Sequence, residues 1–252
     1  MAMRAMVTGA SEGIGRALCR ALAQEGWQVR GVARDQARLE SLVKDLPGSG
    51  HGILQADLAT EAGVAAVESA LDEGAWDLLV NNAGFGVYHP VHEAPRAELD
   101  GMLAVNVRAL TLLSRAFLAR AQAGACLINI SSSLAFLPFA QGAVYAASKA
   151  YVTSFSEALW AANRSRGVFV AAVHPGITAT RFHSISFGQP KPLPRLLTQS
   201  PEQVAACALK AIKRRCKPTI ISGWQNQALA FATRLLSRRS VALLMGRRQG
   251  SY

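Results

Sequence analysis

The stretch Arg4–Gly15 constrains this chain more than any other. An apolar strand pattern, Arg4–Thr8, runs straight into TGASEGIG, Thr8–Gly15, and a helical pattern follows over Ile14–Glu25. Gly9, Gly13 and Gly15 fall where strand turns into helix, with Ser11 between them. Glycine there permits a tight turn and lets backbone N–H groups approach a pyrophosphate, which the helix N-terminus then favours. The bland alternative is a tight strand–helix connection that binds nothing.

Strand patterns recur at Trp27–Ala33, His51–Ala56, Trp76–Val80, Cys126–Ser132, Val168–Val173 and Thr219–Ile221. Helical patterns lie between them, at Arg38–Leu46, Glu61–Leu71, Pro95–Ala121, Val144–Arg164 and Pro201–Arg214. Such alternation predicts an α/β fold: a doubly wound, Rossmann-like, seven-stranded parallel sheet with helices on both faces. A chain of 252 residues, half of them hydrophobic, is long enough to bury one such core. We divide it into a dinucleotide-binding catalytic domain, residues 1–222, and a basic helical extension, residues 223–252. The first includes a Pro-, Gly- and Ser-rich loop over residues 177–200, a length typical of functional lids.

No apolar run reaches the ~18 residues that span a bilayer, and the N-terminus lacks a signal-peptide pattern. Cys19, Cys126, Cys207 and Cys216 have neither metal-ligand nor CxxC spacing. A cytoplasmic protein with reduced thiols and no metal is the simplest reading.

The strand ends carry the chemistry. After the second strand, Ala33 stands where a ribose-binding acid usually falls, Arg34 follows, and Asp35 comes one place late. Arg34 therefore reads as a ligand of the 2′-phosphate of NADP, with NAD the lesser alternative. Asp57-Leu58 ends the third strand; Asp57 either accepts from an adenine amino group or caps the helix Glu61–Leu71. Asn81-Asn82-Ala83-Gly84 ends the fourth, leaving room for a cofactor or simply making a turn. Asn106 sits inside a helical pattern it does not favour, either for its hydrogen bonds or as a tolerated polar residue.

Tyr145 and Lys149 are four apart and share one helix face. A positive charge near a phenol favours phenolate and pulls its pKa down from about 10. Ser132, thirteen residues before Tyr145, ends the apolar run CLINISS. Hydroxyl, phenol and ammonium together suit proton transfer to or from a carbonyl or alcohol oxygen. Ordinary packing of a Tyr and a Lys on a helix is the alternative that the pair alone leaves open.

Charge is uneven. Residues 1–180 hold 14 Lys/Arg against 15 Asp/Glu, whereas residues 181–252 hold 13 Lys/Arg against one acid, Glu202. The last quarter thus carries the whole net charge of +11. It could meet a phosphate-bearing substrate, an acidic protein or an anionic membrane surface, or be a solvated face. Read as one helix from Leu229, the tail puts Phe231 beside Arg238 and shows no clean amphipathic face. Two short helices fit as well, and membrane contact stays a minority reading. No nucleic-acid module is present, so nucleic acid is not expected as a partner.

Taken together, these residues resemble the short-chain dehydrogenase/reductase family over residues 4 to about 222. Thr8-Gly9-x-x-x-Gly13-Ile14-Gly15 resembles its cofactor turn, and Asn81-Asn82-Ala83-Gly84 its fourth-strand motif. Asn106, Ser132, Tyr145 and Lys149 resemble its catalytic tetrad in order and spacing. Pro175-Gly176, Ile177 and Thr180 resemble the segment that contacts the nicotinamide amide. The resemblance implies hydride transfer between nicotinamide and a carbonyl carbon. In it, Tyr145 exchanges the proton and Ser132 polarises the oxygen. Lys149 lowers the Tyr145 pKa and binds the nicotinamide ribose, and Asn106 fixes a water. It also implies a homodimer or homotetramer through the two long helices. The substrate wall is expected from Phe85–Pro90, Ser133–Gln141 and the loop Ile177–Leu197, whose apolar content suits a small hydrophobic ketone or alcohol. A silent dinucleotide sensor on the same fold is the alternative.

Overall fold

The computed structural model describes residues 2–180 and 198–247. Seven parallel strands run in the order β3-β2-β1-β4-β5-β6-β7. They are β1 Arg4–Thr8, β2 Gln28–Ala33, β3 Gly52–Gln55, β4 Leu78–Asn81, β5 Cys126–Ile130, β6 Phe169–His174 and β7 Thr219–Ile221. The strand order reverses between β1 and β4, paired in register Ala5–Leu78 to Val7–Val80. In a doubly wound sheet the ligand crevice opens beyond the carboxyl ends of such a pair. β4, β5 and β6 are buried at every position, as strands covered on both faces must be.

The helices are α1 Gly13–Gln24, α2 Gln36–Lys44, α3 Glu61–Asp72, α4 Arg96–Leu103, α5 Leu110–Arg120, α6 Ala143–Asn163, α7 Pro201–Arg214, α8 Trp224–Leu235 and α9 Arg238–Arg247. On one face Leu18 and Leu22 of α1, Leu39 and Leu42 of α2, and Val204 and Ile212 of α7 pack with β1, β4 and β6. On the other, Val64 and Val67 of α3 and Leu113 and Phe117 of α5 pack with Met6, Leu79 and Leu127. Local signals set the helix starts. Asp35 accepts from Arg38 N at 3.0 Å, and Ser200 makes a capping box with Gln203 ahead of Pro201.

Three expectations change. Thr60, not Asp57, caps α3, accepting from Gly63 N at 3.0 Å, while Asp57 accepts from Ala59 N in the preceding turn. The expected helix Pro95–Ala121 is interrupted by a π-turn, Ala104–Ala109, which contains Asn106. Residues 96–120 do suffice in length and apolarity to cross a membrane, against the reading of the sequence, and half of the most apolar part of that stretch is buried inside the fold. Of the two readings of the tail, the structure has the two short helices: α8 ends at Leu235 and α9 restarts at Arg238.

Candidate active site

The glycine turn and the end of β4 are locked together. Thr8 Oγ1 accepts from Asn82 N and Ala83 N, both at 3.0 Å. Asn82 Nδ2 donates to Thr8 O at 2.9 Å and to Gly9 O at 3.2 Å. Gly9 has φ +66°, and a Cβ on Gly15 would lie 2.1 Å from Gly9 O. Neither position admits a side chain without rebuilding the turn. Ile14 packs partly buried against the core. A cleft of about 460 Å³ opens beside the turn, lined by Ser11, Glu12, Gly13, Arg16, Arg38 and Thr180.

Just past the end of β2 Arg34 is exposed, and its guanidinium makes no hydrogen bond or ion pair among the described residues. Its neighbour Arg38 is engaged, to Glu12 at 2.7 Å and Asp35 at 3.0 Å. Glu12 was not expected to matter. Its carboxylate stands in the turn itself, and the Arg38 pair offsets the charge it would set against a phosphate. Leu58 is buried and Asp57 half-buried beside it.

The expected tetrad converges at the ends of β4 and β5 and the start of α6. The phenol of Tyr145 is hydrogen-bonded with the hydroxyl of Ser132. Ser132 Oγ also accepts from Leu134 N at 3.2 Å, which holds the 3-10 turn Ser133–Phe136 against it. Neighbouring Ser131 instead donates to Lys149 O at 2.8 Å, so the two serines take separate jobs. Asn106 Nδ2 donates to Phe85 O at 2.9 Å and Ser148 Oγ at 3.2 Å, and Oδ1 accepts from Phe85 N at 3.2 Å. The π-turn aims this amide inward, as such turns do at functional sites. A Cβ on Gly84 would lie 2.8 Å from Asn106 Oδ1 and 3.3 Å from Lys149 Nζ, so the three residues meet at the exit of β4.

Electrostatics depart from expectation. Burial pushes the Tyr145 phenol up to about 12, and the Ser132 hydrogen bond only partly opposes it. The nearby Lys149 does not reverse that rise. Its Nζ lies 5.8 Å from the Tyr145 ring centre and donates to Ile130 O at 2.9 Å. Burial lowers Lys149 itself to about 8. Desolvation disfavours the charged form of each group and outweighs their mutual effect.

The β6 exit closes the site from the other side. Pro175 O accepts from Ser133 N at 2.8 Å, joining it to the β5 exit. Ile177 O accepts from Gln199 N at 2.8 Å, and Thr180 approaches Gly13 closely enough that a Cβ there would lie 3.0 Å from Thr180 Cγ2. Asn226 of α8 packs directly on Gly176, where a Cβ would meet its Nδ2 at 2.2 Å, and donates to Ser222 O at 2.6 Å. Asn226 and Gln199 were missed. They lie fifty and twenty-three residues beyond Gly176, and no local pattern marks them. Phe182, His183, Phe187, Lys191 and Arg195 of the expected substrate wall lie outside the described residues.

His174 ends β6, immediately before Pro175. It is fully buried and stacked on Phe136 at 4.8 Å between ring centres. The Ile220 carbonyl can only accept, so Nδ1 carries the proton at 3.2 Å, while Nε2 lies 2.9 Å from Thr153 Oγ1. Burial, with some help from Lys149, lowers His174 to about 4. The folded value lies below the unfolded ~6.5, so its contribution is intact above pH 6.5 and lost as pH falls toward 4. Wild type should lose about 3 kcal/mol of stability from this group across that window. His174→Gln should show a correspondingly shallower loss in denaturant midpoints measured at pH 7 and 4.5; parallel losses in both proteins would refute the assignment.

The short chain dehydrogenase family model matches residues 3–188. A probable NADP-dependent dehydrogenase of Haemophilus influenzae is 34% identical over 189 residues, covering 73% of this chain and 75% of that protein. Serine 3-dehydrogenase of Agrobacterium fabrum is 32% identical over 189 residues, with the same two coverages. Among solved structures, a short-chain dehydrogenase from Sphingobium yanoikuyae in complex with NADPH superposes with a TM-score of 0.83 at 29% identity. It covers 92% of this chain and 94% of that one. The chain belongs to the short-chain dehydrogenase family, and it is an oxidoreductase of that class.

Proposed function

We propose that this protein is an NADP(H)-dependent oxidoreductase that interconverts a ketone or aldehyde and an alcohol on a hydrophobic substrate. One observation carries the reading: the Tyr145 phenol, joined to Ser132, shares a helix with a buried Lys149 whose ammonium meets Asn106 at Gly84. NADPH supplies the hydride. Tyr145 holds a proton at its phenol oxygen and passes it to the substrate oxygen in reduction. Ser132 orients that oxygen by donating to it. Lys149 binds the cofactor's ribose, and the Thr8–Gly15 turn receives the pyrophosphate. Pro175–Thr180 flanks the nicotinamide.

NADP rests on the exposed, unengaged Arg34, and the Haemophilus relative and the Sphingobium structure carry NADP or NADPH in their names. Arg34→Ala should weaken NADPH binding by about tenfold or more while barely moving NADH, because an exposed cation meeting a phosphate makes a charge-assisted bond that only NADPH offers. Equal losses for both cofactors in a fluorescence titration would assign the phosphate elsewhere.

Support for a hydrophobic substrate comes from the wall beside Tyr145. Tyr88 stands edge-on to Tyr145 at 5.5 Å and to Phe139 at 5.7 Å, with Phe85, Val87 and Leu134 packed in the same cluster. Purified protein should oxidise NADPH with aromatic or long-chain ketones and not with polar keto acids or keto sugars. Turnover confined to the polar set would overturn the substrate class, and none with any carbonyl would overturn the enzyme reading. Likeness to the family favours a homodimer or homotetramer through its two long helical segments, here residues 96–120 and α6.

A further inference from the structure

The C-terminal helices carry an apolar stripe that no described part of the chain covers. Trp224 is 73% exposed, Phe231 63% and Leu235 72%. With exposed Ala228 they recur at a spacing that keeps all four within about 60° of the α8 surface. Asn226 and buried Ala230 point the opposite way, toward the body. Leu229 on the flank of α8, Leu236 at the break, and Leu243 and Leu244 on α9 are exposed as well. Elsewhere large exposed hydrophobics are scattered singly, at Met3, Val91, Leu103 and Tyr151. Single ones are ordinary, whereas a run of them marks an interaction surface. The break at Leu236–Ser237 also explains why periodicity read through the tail hid the stripe: α9 restarts with its own phase.

Charge selects the occupant. Arg234, Arg238 and Arg239 are exposed on the same two helices, and no Asp or Glu follows Glu202 in the sequence. A second copy of this surface would bring like charge onto like charge. An anionic lipid surface offers the complement to both parts. Tryptophan settles at the headgroup boundary, apolar side chains enter the acyl edge, and arginines meet the phosphates. We propose that α8 and α9 form a docking surface for anionic phospholipid membranes, lying in the plane of the interface rather than crossing it. Asn226 on Gly176 and the packing of α8 on Ser133–Phe136 place this surface beside the candidate active site. The inference stands whether or not the substrate is hydrophobic.

The test uses the full chain and vesicles of phosphatidylcholine with or without phosphatidylglycerol, read by flotation. Wild type should float with the anionic vesicles and stay behind with the neutral ones. The triple variant Trp224→Ser/Phe231→Ser/Leu235→Ser should bind at least a hundredfold more weakly. Arg234→Gln, Arg238→Gln and Arg239→Gln should each cost about fivefold. These side chains are exposed, so unchanged melting and NADPH binding would show that the variants fold. Trp27 and Trp76 are buried and Trp160 is half-buried beneath Arg164, so a blue shift of tryptophan fluorescence on vesicles should come from Trp224 and vanish in Trp224→Phe. Wild type that ignores anionic vesicles, or a triple variant that floats like wild type, would overturn the proposal. So would light scattering in which the triple variant dissociates an oligomer that does not bind vesicles, since the stripe would then be a subunit contact.

Discussion

Replacing Tyr145 by phenylalanine should reduce turnover by about 10²- to 10⁴-fold, the range a positioned proton donor contributes. The ring remains, so the edge contact with Tyr88 and the packing against Met102 and Val87 persist. What disappears is one hydroxyl, its proton and its bond with Ser132. NADPH affinity should therefore hold within about twofold, because the change removes no cation and no turn residue. A fold-neutral, binding-neutral loss of rate is the signature of a group that acts in the transition state. Turnover within tenfold of wild type, measured by NADPH oxidation at saturating cofactor, would remove Tyr145 from the mechanism. Because burial raises the phenol to about 12, it stays protonated through neutral pH, the form that reduction requires.

Lys149→Met should abolish activity as severely and weaken NADPH binding, yet leave the fold near wild-type stability. The folded Lys149 value of about 8 lies below its unfolded 10.5. Its burial therefore costs stability fully below pH 8, and that cost is relieved as pH rises from 8 to 10.5. At neutral pH this amounts to about 3 kcal/mol. Met removes that penalty but leaves Ile130 O without its donor at 2.9 Å, a loss of about 1–3 kcal/mol. The two nearly cancel. Melting should shift little at pH 7 while wild type gains on the variant between pH 8 and 10.5. A variant that unfolds at pH 7 would show that Lys149 is structural, and one that keeps NADPH affinity would remove it from the cofactor site. In wild type, cofactor affinity should also fall above about pH 8 as the ammonium is lost.

Much of the fold was legible because its signals are local. The alternation of apolar runs and helical patterns set all seven strands and their parallel sense, and Thr8–Gly15 located the crevice before any contact was known. The spacing of Ser132, Tyr145 and Lys149 likewise needed only a strand end and one helical turn. Asn106 was noticed as an unfavourable helix residue; the π-turn around it supplies the reason. By contrast, Asn226, Gln199 and Glu12 enter the site through chain distances or pairings that no periodicity reports.

The sequence by itself determined the architecture, the family and the candidate reacting groups, because spacing along a strand or helix dictates which side chains share a face. Only the tertiary structure decided how those groups are charged and what surrounds them. Burial is a property of the whole fold, so it alone could raise Tyr145, lower Lys149 and His174, and leave Arg34 open. It also decided the tail. Arg residues follow Glu202 without a compensating acid in any conformation, but Trp224, Phe231 and Leu235 form one exposed stripe only because α8 stops at Leu235 and packs its opposite face on Gly176.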